Sequence, residues 1–121
     1  MIREFKTGAT RNSDDGKFDY EGFNHPIVEW QFACYMHKHR KLEDGSLRDG
    51  DNWQKGIPRD QLMKSLMRHV MDLHLIHKGH SVVGENDEMV TIVDALMGIR
   101  FNVNALALDV YHPLIVMRNE V

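Results

Sequence analysis

The chain has 121 residues with 15 Lys and Arg, 18 Asp and Glu, eight His and a single Cys, for a formal charge of −3. A chain of this size suits one domain that buries a core of its own, and Cys34 alone closes no internal disulfide. With 42% hydrophobic and 27% charged residues, it reads neither as a disordered tail nor as a membrane protein.

The longest near-apolar stretch is broken by Asp94, Arg100, Asn102, Asn104 and Asp109, so no uncharged span of about 18 residues exists. The first ten residues carry charge where a signal peptide has its apolar segment, and a cytosolic location is expected. Residues 1–78 hold 13 basic and 12 acidic side chains, whereas residues 79–121 hold 2 and 6. That split gives no continuous basic face for duplex nucleic acid. It does allow a basic loop to face an acidic helix.

The expected fold is all-α: a small bundle of three main helices behind an ordered N-terminal arm. One domain spans residues 1–121, with the arm at 1–23, a helical core at 24–111 and a tail at 112–121. The arm has no helical or strand period, and Ser13-Asp14-Asp15-Gly16 fits a type I turn. Phe18 and Tyr20 are the candidates for a short extended piece.

Asn24-His25-Pro26 opens the first helix, with Pro at its first turn. It runs through Trp30, Tyr35 and Met36 into the basic cluster His37-Lys38-His39-Arg40-Lys41. That cluster either complements the helix dipole on a wet surface or forms a phosphate site. Leu42 to Pro58 is a long loop, and loops of this length in small domains tend to be functional or mobile. Within it, Trp53 stands two residues from Lys55, so that a base can stack on the indole while the ammonium meets a phosphate. The competing role for Trp53 is a hydrophobic plug that holds the loop down.

The second helix begins at Pro58 or Arg59 and ends at Lys78, before Gly79 at the C′ position. Leu62, Met63, Leu66, Met67, Val70, Leu73, Ile76 and His77 share one side at helical spacing. The methionines fall at core spacing and read as packing. Ser65, His69 and Asp72 form a polar edge beside that stripe, with Arg68 one step further round. The third helix is expected from about Asn86, with Asp87 and Glu88 in its first turn, to about Tyr111. It is apolar nearly all round and therefore central. One stripe differs: Thr91, Asp94, Ala95, Gly98, Asn102, Ala105 and Asp109, where small residues let another helix or a ligand come close. Asp94 needs a cation, a donor or water, with Arg68 or Arg100 as salt-bridge candidates and Mg²⁺ as the functional alternative. Leu114 to Met117 in the tail make a possible packing or dimer segment.

Other chemistries are weaker. His74, His77 and His80 recur every three residues, but Gly79 ends the helix before His80 and no paired thiolate exists, which disfavours zinc. Cys34 lies in an apolar helical stretch, and no Gly-x-Ser-x-Gly elbow, Walker loop or dinucleotide fingerprint is present.

Three stretches together carry a family resemblance: the arm from Gly8 to Tyr20, then Asn52-Trp53-Gln54-Lys55-Gly56-Ile57-Pro58 with Arg68-His69 in the helix that follows, and finally Asp94 to Asn102. They resemble the phage-associated family of N-terminal domains of dATP/dGTP diphosphohydrolases, related to the all-α MazG-like nucleotide pyrophosphatases. The resemblance covers about residues 8–110. It implies a helical, oligomeric domain in the cytoplasm, that of the host if phage-encoded. This domain would bind a purine deoxynucleoside triphosphate with Mg²⁺ and hydrolyse it to monophosphate and pyrophosphate.

By position, the resemblance places Trp53, Lys55, Arg68 and Asn102 at the nucleotide, and less directly Arg11 and Lys17. It gives His69 and Asp94 catalytic roles, and Asp94 with Asp72 the metal. The chain departs from the family in its carboxylates: neither acidic pair of the MazG-like helices is present, and Ala95 stands where the family has His. The alternative is therefore a non-catalytic protein that binds or sequesters a nucleotide or a nucleotide-derived signal.

Overall fold

The computed structural model describes residues 1–111, and the apolar tail segment foreseen at Leu114 to Met117 lies outside them. Residues 1–25 and 26–111 form two compact units. The protein is mostly helical. Among the described residues no helix is long and apolar enough to cross a membrane.

The first unit contains two short strands, in an arm whose sequence shows no strand period. β1 (Ile2–Glu4) pairs antiparallel with β2 (Thr10–Asn12), with Arg3 opposite Arg11. Gly8, at φ +88°, supplies the left-handed residue of the turn between them. Tyr20 is not extended; it opens α1 (Tyr20–Phe23), a single turn capped by Asp19, whose carboxylate accepts the Gly22 N–H at 2.9 Å.

The second unit begins with α2 (Pro26–His39), which starts at its proline and ends in the basic cluster, as the sequence leads one to expect. α3 (Arg59–His77) closes with a Schellman motif. Gly79 sits at φ +92° and donates to Ile76 O at 3.0 Å, while His80 N–H donates to Leu75 O at 3.0 Å. A small hairpin follows, made of β3 (Val82–Val83) and β4 (Met89–Val90) around a 3₁₀ turn at Glu85–Asp87.

The last helix, α4 (Ile92–Val110), starts six residues later than expected. Asn86 and Asp87 hold φ of 61° and 57°, which no helix continues through. The start is set instead by Thr91 and Asp94, which form a reciprocal capping box: Asp94 N–H donates to Thr91 Oγ1 at 3.1 Å, and Thr91 N–H to Asp94 Oδ2 at 3.0 Å.

α3 and α4 pack antiparallel along their length, and α4 also touches α2. The small-residue stripe of α4 is the seam. Ala95, Gly98, Asn102 and Ala105 are buried, and Asp109 pairs with Arg59 at 2.8 Å at the far end. Arg100 turns to α2, where it meets Glu29 at 2.7 Å and lies over the Phe32 ring. The apolar stripe expected on α3 divides: Leu62 is buried, but Met63, Met67 and Val70 are exposed. Core spacing along one helix therefore misplaces all three α3 methionines, Met63, Met67 and Met71. Cys34, expected in an apolar setting, is exposed.

Candidate functional site

A cavity of about 360 Å³ lies in the second unit between the end of α2, the 40–57 loop, α3 and α4. That is within the size range of small-molecule sites. The loop that forms its wall is ordered by its own backbone. Lys41 and Leu47 make a bridge, Arg48 N–H donates to Arg40 O at 2.9 Å, and Gly45 takes the left-handed turn position. Both arginines of this stretch line the cavity, and backbone carbonyls hold their guanidiniums. Arg40 Nε donates to Arg48 O at 2.7 Å and Arg48 Nη1 to His39 O at 3.3 Å. Each keeps other N–H groups free, and among the described residues neither pairs with a carboxylate.

The loop continues into a 3₁₀ turn at Asn52–Lys55 that carries Trp53. Its ring meets Phe101 of α4 edge to face, with centroids 6.0 Å apart and planes at 74°. Tyr35 adds a third aromatic ring to the lining and stacks obliquely on His39, 4.3 Å away.

The floor is polar. Asn102, 1% exposed, donates from Nδ2 to Gly98 O at 2.8 Å and to Ser65 Oγ at 3.2 Å. A carbonyl accepts and never donates, so the Gly98 bond fixes which end of the amide is nitrogen. Asn102 Oδ1 is then left with no partner, the one such buried side-chain atom among the described residues. Gly98 has a second role: a Cβ there would come within 2.5 Å of His69 Nδ1, so glycine alone lets the imidazole lie against α4.

Both cavity histidines are biased to the neutral form. His69 is lowered below its ordinary pKa by burial; Asp72 opposes this and Arg68 adds to it. His39 is lowered by burial and then by Lys38, with Asp94 opposing and His69 adding. Tyr35 is raised, first by burial and then by the charge of Asp94. The lining thus presents two cations, two neutral imidazoles and one carboxylate, Asp49.

Of the residues singled out from sequence, Trp53, His69 and Asn102 line this cavity. Lys55 shares the turn of Trp53 without lining the cavity, and Arg68 and Asp72 act on it only through His69. Asp94 caps α4 against Thr91 rather than pairing with Arg68 or Arg100, and its charge reaches Tyr35 and His39. Arg11, on β2, and Lys17 belong to the first unit, and both are exposed.

His39 and Arg40 also line the cavity, from the basic cluster read as either dipole complement or phosphate site; Arg48, Tyr35 and Phe101 were not singled out as site residues. Among the described residues no three His, Cys, Asp or Glu side chains are grouped to hold a metal ion. Comparison with protein-family models, with curated proteins and with solved structures finds no match.

Proposed function

We propose that the cavity binds a nucleotide or a nucleotide-derived phosphate ligand. The observation that carries this reading is that one cavity is lined both by the Trp53 and Phe101 rings and by Arg40 and Arg48, whose guanidiniums pair with no carboxylate among the described residues. An aromatic surface takes a base by stacking, and planar guanidinium forks take phosphate oxygens.

Calorimetric titration with dATP and dGTP, and with their nucleosides, tests the reading. Nucleotides should bind, and removal of the phosphates or an Arg48→Ala change should weaken binding on the order of tenfold or more, as expected for a charge-assisted contact. Absence of binding by any nucleotide overturns it.

Hydrolysis of a bound purine triphosphate to monophosphate and pyrophosphate is the second reading, favoured by the two imidazoles held neutral at the cavity. A neutral imidazole can take a proton from an attacking water. Mg²⁺ would have to arrive with the triphosphate, as that ion commonly does. Asp49 is the single carboxylate of the lining among the described residues, and no step is assigned to a metal. Pyrophosphate release from dATP or dGTP with Mg²⁺, abolished by His69→Gln, would favour hydrolysis. Binding without release favours sequestration.

A further inference from the structure

The loop wall of the cavity is fastened in two different ways along its length. Its first half is stapled to itself and to the end of α2. Lys41 bridges Leu47, Leu42 N–H donates to Ser46 O at 2.9 Å, Arg48 N–H donates to Arg40 O at 2.9 Å, and both guanidiniums hold backbone carbonyls. The second half, residues 49–57, is tied only to itself. Asn52 N–H donates to Asp49 O at 3.1 Å, Gln54 N–H to Asp51 O at 2.9 Å and Gly56 N–H to Trp53 O at 3.4 Å. Among the described residues no hydrogen bond or ion pair joins this half to any other part of the chain.

What seats it is apolar. Trp53 and Ile57 are half-buried, and the indole meets Phe101 edge to face. Contact of that kind is weakly directional, so an indole that slides off one ring breaks no hydrogen bond. The ends are suited to pivot. Gly56 holds φ 112° and ψ 113°, where glycine alone is unstrained, and at Gly50 a Cβ would meet nothing within 4 Å. Between them the 3₁₀ turn keeps its own bonds and moves as one body. Asp49, Gly50, Asn52, Trp53 and Ile57 all line the cavity, so this wall travels with the segment.

We propose that residues 50–56 are a lid, hinged at Gly50 and Gly56 and latched by Trp53 on Phe101, that opens to admit the ligand and is held shut once the ligand's ring packs on the indole. What the lid closes on rests on the nucleotide reading of the cavity, whereas its opening in the free chain does not. Lids of this kind move in microseconds to milliseconds about a few loop residues, and they come from the least stable parts of a fold. Arg40 and Arg48 belong to the stapled half, so the grip on the anion is set before the ring closes.

Amide exchange of the full chain, read by NMR, tests the lid. Asn52 and Gln54 on the lid and Leu42 and Arg48 on the stapled half all have hydrogen-bonded amides. In the free chain the first two should be protected on the order of tenfold less than the second two. Phe101→Leu removes the latch ring and keeps the indole, and it should speed exchange at Asn52 and Gln54 several-fold more than at Arg48. Gly50→Ala, in open space and at a φ that is not left-handed, should slow exchange at both on the order of threefold by stiffening the hinge. Saturation with dATP or dGTP should slow both on the order of tenfold or more. Equal protection of the four amides in the free chain overturns the lid whether or not either variant folds. So does a folded Phe101→Leu chain with unchanged exchange at Asn52 and Gln54. Calorimetric binding with no slowing at these amides overturns closure and leaves the cavity reading standing. Calorimetry that detects no nucleotide removes that reading, and closure over a nucleotide with it.

Discussion

The two sides of the α3–α4 pair differ in what they leave unfinished. On one side the loop, α2 and the two helices enclose a cavity whose polar groups are placed with care: a fixed amide, two imidazoles biased neutral, two guanidiniums held by backbone carbonyls. On the other side the same helices expose methionines and branched aliphatics, interrupted on α3 by Asp60 and His74. One side offers directional groups to a small ligand with negative charge; the other offers apolar surface without them. Directional groups specify a ligand, whereas apolar surface alone does not.

The largest effects should come from the seam between the two sides. Asn102→Asp places a carboxylate against Gly98 O in a site 1% exposed. It should remove several kcal/mol of stability, enough to unfold much of the protein, because an unpaired charge is buried. Asn102→Leu removes the orphan oxygen along with the amide and should stay within about 1 kcal/mol of the parent. Denaturant melts of the two variants separate these outcomes; equal losses would mean that the amide is not the fixed floor of the cavity.

Gly98→Ala comes next. Its methyl meets His69 Nδ1, so the imidazole or the helix must shift, at about 1–3 kcal/mol. Ligand affinity should fall with stability, since the displaced ring lines the cavity. Unchanged thermal midpoints would show that the helices do not approach this closely.

A smaller loss, about 1 kcal/mol, is expected for Thr91→Ala, which removes half of the capping box. The Thr91 N–H still donates to Asp94 Oδ2 in this variant, so the carboxylate keeps its place. Thermal melts check the loss, and an unchanged midpoint would show that the box does not set the helix start.

The smallest effect is on pH. His39 and His69 have lowered values when folded, so the unfolded chain binds more protons in the window below the ordinary imidazole value. Their contribution to stability is complete above about pH 6.5 and declines as pH falls below it. Binding of an anionic ligand should move the other way and strengthen on acidification, because protonated imidazoles add positive charge to the cavity. Thermal midpoints between pH 7.5 and 5, with and without dATP, check both signs. A midpoint that rises on acidification without ligand would contradict the first sign.

Much of the fold was legible where local signals decide it. Pro26 and Gly79 mark helix ends by backbone geometry alone, and both act as expected. The start of α4 was not legible. Asp87 and Glu88 look like a first helical turn, but Asn86 and Asp87 take left-handed angles, and the true cap is one of several Thr and Asp candidates. Helical periodicity marked α3 as amphipathic but did not show that its apolar surface has two parts, because both lie within one broad arc.

The site divides along the same line. Trp53, His69 and Asn102 stand out by residue type and spacing. Arg48 and Phe101 join them only through the loop's backbone bonds and the antiparallel seam, which no local pattern announces. Asp94 stood out for the wrong reason: a carboxylate on an apolar helix suggests a metal until the helix start is known.

The central claim is that a base stacks at Trp53 while its phosphates meet Arg40 and Arg48. A Trp30→Phe chain keeps Trp53 as its single tryptophan, since the sequence holds two. Titrating that chain with dATP and dGTP, and with their nucleosides, should produce a saturable change in indole fluorescence at far lower concentration for the nucleotides. An indole signal unmoved by any nucleotide, in a chain that remains folded, would contradict the account.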